Sequence, residues 1–330
     1  MTSRATLLLS RAEIVTLLNL GECIDAVERA FSAHAEGRSL PPGILGIHAN
    51  DGGFHIKAAG LELSRPYFAL KVNGNFFHNQ ERFGMPRIQG LIVLADAENG
   101  APLAVLDSIE ITILRTGAAT GVSIRYLARD DAKIATICGC GNQGRVSLRA
   151  LTQVRQINEV FAYDIDPDQS RRYAGDMSKE LGIRVTAVRN LEEPVGKSDI
   201  CITCSPSREP YLLRSYVRPG TFIAAVGADD EAKQEIDAEL LAASKVVVDN
   251  LEQCATIGDL KLALGRGLMT RADVHAELGG VIVGRKPGRE SADEVIIFDS
   301  TGTALQDVAA AALVYERAVA SGRGHWFDFQ

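Results

Sequence analysis

The run ICGCGNQGRV, residues 137–146, packs three glycines and two cysteines into ten positions. Three chemistries compete for it: thiolates around a metal, cysteines exchanging disulfides, or a bare backbone around a phosphate. Its flanks separate them. KIATIC upstream is an apolar run of strand length, and RVSLRALTQV downstream has helical period. The next strand, EVFAYD, ends on Asp164, 20 residues beyond Gly144. Strand, glycine turn, helix, strand and acid in this order make the arrangement that binds dinucleotides. Gly139 allows the tight turn, Gly141 lets the backbone approach a pyrophosphate, and Gly144 lets the helix pack on the strand. The helix start at Asn142 and Gln143 offers N–H groups and a partial positive charge to phosphates. A carboxylate at Asp164 accepts from ribose hydroxyls and repels a 2′-phosphate, so NAD is expected over NADP. The plainer alternative, a turn that binds nothing, does not account for the joint agreement of spacing and elements.

The cysteines have a rival reading. Cys201 and Cys204 also end a strand, and the fourth strand of a doubly wound sheet lies beside the first, near Cys138 and Cys140. Cys-Gly-Cys is not a usual zinc spacing, however, and structural zinc knuckles sit on turns. A redox C-x-x-C pair opens a helix. The cysteines therefore read as small apolar strand residues, and no metal is expected.

Beyond the loop the alternation continues. PDQSRRYAGDMSKELG is helical, and RVTAV, DICITCS, TFIAAVG, KVVVDN and EVIIFDSTG are short buried strands. This predicts an α/β fold, a Rossmann doubly wound parallel sheet spanning 116–302. Upstream the pattern differs. Ser10 and Glu13 form a capping box for a first helix, and GECIDAVERAFSAHAEGR makes a second, which LPPG at 40–43 is expected to stop. GGFHIKAAGLEL and YFALKVNGNFF read as strands. Residues 88–108 read as a hairpin turning at Asn99-Gly100. Residues 1–115 thus form an α+β domain of two helices on an antiparallel sheet, which the last helix, within 303–330, is expected to rejoin. SIEITILRTGAATGVSIRYLARD is a long helix between the two domains.

Bulk properties bound the function. The 330 residues suit about two domains. A net charge of -7 disfavours nucleic acid as a partner. The amino-terminal apolar run TLLL is too short for a secretory signal, and no stretch reaches the ~18 apolar residues of a membrane span. Six cysteines are too few for a disulfide scaffold. A cytoplasmic protein with reduced thiols is the expectation.

Chemistry is sought outside the glycine loop. Lys71 lies in a strand, Arg115 at the domain junction, and Asp229 just past a strand's carboxyl end, where ligands of such sheets bind. Each also has a plain reading: a solvent-facing strand lysine, a surface-paired arginine and a helix N-cap.

The chain resembles the ornithine cyclodeaminase/mu-crystallin family throughout its length. The resemblance rests on ALKVNGN (69–75), VLADAENGAPLAVLDS (93–108), LRTGAAT (114–120), CGCGNQG (138–144), AVGADDEAKQEID (225–237) and FDSTGTALQD (298–307). It implies a Rossmann domain joined to an N-terminal substrate domain through which homodimers form. It implies that Lys71 acts near the substrate carboxylate and reacting carbon, that Arg115 clamps the carboxylate, and that Asp229 relays protons at the nitrogen. Thr116 and Val226 join Gly139, Gly141, Asn142, Gln143, Gly144 and Asp164 as expected cofactor contacts. Members include amino-acid dehydrogenases, imine reductases and cyclodeaminases, alongside lens crystallins.

The chain departs from the pattern twice. Gly43 stands where many members place a carboxylate-binding arginine, and Lys57 is the expected substitute. No acid precedes Glu62 in the strand where ornithine cyclodeaminases hold the distal amine. The leading expectation is NAD-dependent hydride transfer at the Cα–N bond of a small amino acid or imine. A cyclodeaminase-type lyase with catalytic NAD and a non-catalytic ligand-binding protein of the crystallin kind are the alternatives.

Overall fold

A computed structural model describes residues 5–329. Residues 1–4 and 330, the outer ends of the expected domains, lie outside the described residues. The chain divides into two compact units, one taking the chain up to Arg115 and again from Thr303, the other running Thr116–Gly302.

The first unit opens with β1 (Thr6–Leu9), α1 (Arg11–Leu17) and α2 (Leu20–Ala35). Ser10 caps α1, and its N–H donates to Glu13 at 2.8 Å, which completes the capping box. On α2, Cys23, Ile24, Val27, Ala30 and Phe31 are buried at helical spacing. The helix ends at Glu36, before the prolines, because Gly37 turns the chain at φ 79°. Pro41 and Pro42 instead lie inside a strand, β2 (Ser39–Ala49), where the register with its neighbour shifts between Leu40 and Gly43. Proline lacks an N–H to donate, so an edge strand with a bulge accommodates it.

Next come β3 (Gly52–Glu62), β4 (Pro66–Phe76), α3 (Asn79–Phe83), β5 (Ile88–Asp96) and β6 (Pro102–Asp107). The hairpin of β5 and β6 turns through a five-residue loop, 97–101, rather than the two residues expected. The Asp96 carboxylate accepts from the Glu98 N–H, and Gly100 takes φ 77°. The sheet order is β15-β1-β6-β5-β4-β3-β2, where β15 (His325–Phe327) is the chain's last strand. It is not wholly antiparallel: β1 runs parallel to β6.

The long helix α4 (Ile109–Leu127) carries the chain into the second unit. There β7 (Ile134–Cys138), α5 (Asn142–Val154), β8 (Glu159–Tyr163), α6 (Pro167–Leu181) and β9 (Arg184–Val188) follow. Then come α7 (Glu192–Lys197), β10 (Ile200–Thr203), β11 (Phe222–Ala225), α8 (Ala238–Ala242) and β12 (Lys245–Val248). The unit closes with α9 (Leu251–Ile257), α10 (Leu260–Gly265), β13 (Ala276–Glu277), α11 (Leu278–Ile282) and β14 (Ile296–Asp299). Every strand pair is parallel, in the order β13-β12-β14-β11-β10-β7-β8-β9. β10, β11 and β14 are buried at every position, as strands covered by helices on both faces must be.

The last helix, α12 (Ala304–Ser321), belongs to the first unit and packs on α2, β3 and β4. It is a third helix on that sheet. Among the described residues no helix is long and apolar enough to cross a membrane.

Candidate active site

The glycine loop has the geometry its spacing implies. Gly139 follows β7 at φ 106°, and a Cβ there would lie 2.9 Å from the Cys204 carbonyl. At Gly144 a Cβ would meet the Gly139 carbonyl oxygen at 2.1 Å, so only glycine lets α5 sit this close to the strand. The Tyr173 hydroxyl on α6 anchors the same turn by donating to the Gly144 carbonyl at 2.9 Å. Gly141 is different. It caps α5 with φ -83°, and a Cβ there would meet nothing within 4 Å. No side chain caps α5, so its first N–H groups are left for a ligand. Beside them the buried Oε1 of Gln143 has no hydrogen-bond partner among the described residues. Asn142 is exposed at the first turn. An open space lined by glycine backbone beside an uncapped helix start fits a dinucleotide's pyrophosphate, and the orphaned Gln143 oxygen suits a donor such as a ribose hydroxyl.

Asp164 closes the unit from the end of β8. Its carboxylate accepts the Cys140 N–H at 2.8 Å and the Asp166 N–H at 3.0 Å, which fixes its position. Of the remaining expected cofactor contacts, Val226 is buried just past β11 and donates its N–H to Thr203. Thr116 lies on α4, where its carbonyl accepts from Thr120.

The cysteines are all free. Cys138 and Cys201 belong to the core of the second unit, and the Cys204 thiol donates to the Cys138 and Gly139 carbonyls. Burial pushes the Cys140 and Cys201 thiols up to about 12, which keeps them from being thiolates at neutral pH. Among the described residues no group of three or more His, Cys, Asp and Glu is placed to hold a metal.

The first unit gathers the charged residues. Lys57 and Lys71 stand directly opposite each other on β3 and β4, on the sheet face that packs against α12. Both are buried, Lys57 at 7% and Lys71 at 3% exposure, so neither is a solvent-facing strand lysine. Arg115, 5% exposed, reaches the same place from α4. Their common acid is Asp307, on the first turn of α12. Lys71 Nζ lies 2.9 Å from its Oδ1 and 2.8 Å from its Oδ2, and Arg115 Nε lies 3.0 Å from Oδ1. Gln306 adds a second hold on the guanidinium, accepting from Arg115 Nη1 at 2.8 Å.

Burial pushes Lys71 down to about 7, helped by the Arg115 charge and opposed by Asp307. Burial raises the Asp307 carboxyl, but Lys71 and Arg115 outweigh it and hold the group below its ordinary range. Asp307 is the residue that sequence reasoning missed. Only part of its signal was available: Gln306-Asp307 interrupts the otherwise apolar run 304–314 of α12, and a polar pair on a buried face needs partners, but the run does not say which.

Asp229 belongs to the second unit. It lies in the loop after β11, 51% exposed at its side chain and ion-paired with Lys233. It caps no helix, since α8 begins only after Asp237. The same loop is held from behind by Glu235, a buried carboxylate accepting from Ser205 N (2.7 Å), Tyr211 Oη (2.7 Å) and Gly227 N (3.0 Å).

A doubly wound parallel sheet, with its central strand feeding an uncapped, glycine-opened helix and an acid closing the next strand, defines a dinucleotide-binding protein of the Rossmann class. Comparison with known proteins makes this more specific. The chain belongs to the ornithine cyclodeaminase/mu-crystallin family, whose model matches residues 4–322. It is 39% identical over 324 residues to the alanine dehydrogenase of Archaeoglobus fulgidus, covering 98% of each chain. A solved archaeal alanine dehydrogenase dimer with bound NAD superposes with a TM-score of 0.94 at 38% identity, covering 99% of this chain and 100% of that one. Thermococcus litoralis Δ1-pyrroline-2-carboxylate reductase, in complex with NADH and L-proline, superposes at 0.91 with 37% identity, covering 97% and 99%.

Proposed function

We propose that this protein is an NAD-dependent oxidoreductase acting at the Cα–N bond of a small α-amino acid or its imine. The observation that carries the reading is the buried charge group of the first unit. Three cations, Lys57, Lys71 and Arg115, face one acid, Asp307. Like charges opposite each other on a sheet repel, so an incoming anion is stabilising between Lys57 and Lys71. A carboxylate suits it, because guanidinium pairs with carboxylate through two parallel hydrogen bonds. Alanine and pyrroline-2-carboxylate, named with the similar proteins, both carry a carboxylate on the carbon bonded to nitrogen.

The residues of 139–144 with Asp164, Thr116 and Val226 would hold NAD, which supplies a hydride acceptor when oxidised and a hydride donor when reduced. Arg115 and Lys57 bind the carboxylate and so orient Cα. Lys71 places an ammonium beside the reacting carbon. Asp229 takes a proton from the substrate nitrogen as the C=N bond forms, and returns it in the reductive direction. For the oxidised amino acid, water then adds at the imine carbon and ammonia leaves. Residues 1–115 with 303–330 serve as the substrate and dimerisation domain, and 116–302 as the NAD domain.

One observation favours redox chemistry over cyclodeamination. The inward position opposite Lys71 is a cation, Lys57, and the acid of β3, Glu62, is exposed at the strand's end. A diamino acid's distal ammonium finds repulsion there. The six free cysteines suit a reducing compartment, which we take to be the cytoplasm.

A homodimer is part of the proposal. On the sheet face away from α12, Leu45, Ile56, Val72 and Leu91 align across four strands. The outer strand β2 is exposed along its length. A long apolar edge of this kind is an aggregation hazard unless a second copy covers it.

The test is an amino-acid and imine panel with NAD or NADH, following absorbance and ammonia together. NADH with ammonia, or NADH consumption with an imine, is expected. Ammonia without NADH would replace the reading with a lyase, and binding without turnover would replace it with a ligand carrier.

A further inference from the structure

The cation group contains an acid to which the roles above assign no task. Asp307 touches both Lys71 and Arg115, and it comes from α12, after the chain has passed through the whole second unit. Asp307 Oδ1 pairs by charge with Arg115 Nε at 3.0 Å without a hydrogen bond, while Gln306 accepts from Nη1, and neither takes Nη2. The guanidinium is therefore oriented by contacts at Nε and Nη1, and Nη2, which belongs to both of its bidentate edges, is taken by neither Asp307 nor Gln306. Both oxygens of Asp307 lie within 3 Å of Lys71 Nζ, which fixes the direction of the ammonium.

We propose, resting on the function above, that Asp307 is a positioning residue for the reaction: it aims Lys71 and Arg115 and keeps Lys71 in its ammonium form. The groups that face Lys71 sort clearly by sign. Arg115 from α4 and Lys57 from β3 both push its proton off, and Asp307 alone opposes them. Cys23 from α2, which faces Arg115 and Asp307, is a neutral thiol, its ionisation pushed up to about 12 chiefly by burial. Removing the negative charge therefore leaves only influences that lower Lys71. A lysine already brought down to about 7 then loses its ammonium across the physiological range.

The test uses the full-length protein and two variants. In Asp307→Asn the shape is kept and the charge is lost. The Lys71 signal of protein labelled with 13C at lysine Cε, assigned by its loss in Lys71→Arg, is expected to titrate about one pH unit lower or more. The basic limb of kcat/KM is expected to move with it, which is a loss that grows above the shifted value and reaches about tenfold above the wild-type value. NAD affinity is expected to stay as it was, because the glycine loop is untouched. In Asp307→Glu the charge is kept and displaced by one methylene. There kcat is expected to fall at least about tenfold with the basic limb in place. This second variant also decides the matter should Asp307→Asn fail to fold, since full kcat in Asp307→Glu overturns the aiming role. A midpoint and limb that stay put in a folded Asp307→Asn overturn the proton-holding role. If the wild type turns over nothing on the panel, the function fails and takes this role with it. A wild type that works beside variants that behave identically removes the role alone.

Discussion

At the scale of single residues, the expected site residues fall into two kinds, and substitution separates them. Lys57 is buried beside Lys71, and its proposed role is to offer charge to a carboxylate, a contact that substrate and transition state would make equally. Lys57→Ala is expected to raise KM at least about tenfold and leave kcat within a few-fold. Asp229 is exposed, and its proposed task is a proton that moves only during reaction. Asp229→Asn is expected to bind NAD and melt as the wild type does, with kcat down by about 10²–10⁴-fold. Steady-state kinetics on one accepted substrate checks both, and a Lys57→Ala enzyme with unchanged KM would remove Lys57 from the binding set. Lys71 and Arg115, which the structure gathers into one buried group, were legible because they lie in recognisable runs. Asp307 was not, because its meaning depends on a pairing across 236 residues of chain. Local patterning reports which positions are buried, but not which distant charge a buried acid meets.

At the scale of elements, legibility followed periodicity. Seven of the eight strands of the second unit read directly as short runs bounded by turns, although β9 is not the buried strand expected, and the two-residue edge strand β13 did not read at all; nor did β2, because two prolines interrupt it and it is exposed along nearly its whole length. An edge strand has no buried face to impose alternation, so its sequence carries little strand signal. The parallel pairing of β1 with β6 was equally hidden, since a four-residue strand has too few positions to reveal its partner. The glycine turn yields an element-scale prediction that distinguishes folding from binding. Gly144→Ala forces a Cβ to 2.1 Å from the Gly139 carbonyl oxygen and is expected to cost about 1–3 kcal/mol of stability, together with NAD affinity. Gly141→Ala meets no protein atom within 4 Å at an ordinary φ and is expected to melt as the wild type does. Its NAD affinity is nevertheless expected to fall at least about tenfold, because the methyl group stands where the phosphate approaches. Thermal melts paired with NAD titrations read the contrast. Equal NAD affinity in Gly141→Ala and wild type would show that the pyrophosphate lies elsewhere.

At the scale of the whole molecule, one sheet serves two ends because strand residues alternate. Along β3, β4 and β5 the inward positions Lys57, Lys71 and Ile92 lie in register, and so do the outward neighbours Ile56, Val72 and Leu91. The inward row meets α12 and holds the charge group, while the outward row is apolar, half-buried at Ile56 and Val72 and exposed at Leu91. A monomer would have to keep Leu45 at 54% and Leu91 at 53% exposure beside the long free edge of β2. Burying that face against a second copy offsets the cost by about 25 cal/mol for each Å² of apolar surface covered. A cation placed centrally on the face should undo this without touching the inward row. Leu91→Lys is therefore expected to run in light scattering at the mass of one 35.4 kDa chain, where the wild type runs at twice that. Because Leu91 points away from the charge group, the folded monomer is expected to retain NAD binding. A Leu91→Lys protein that remains dimeric at micromolar concentration would mean that the copies meet through another surface.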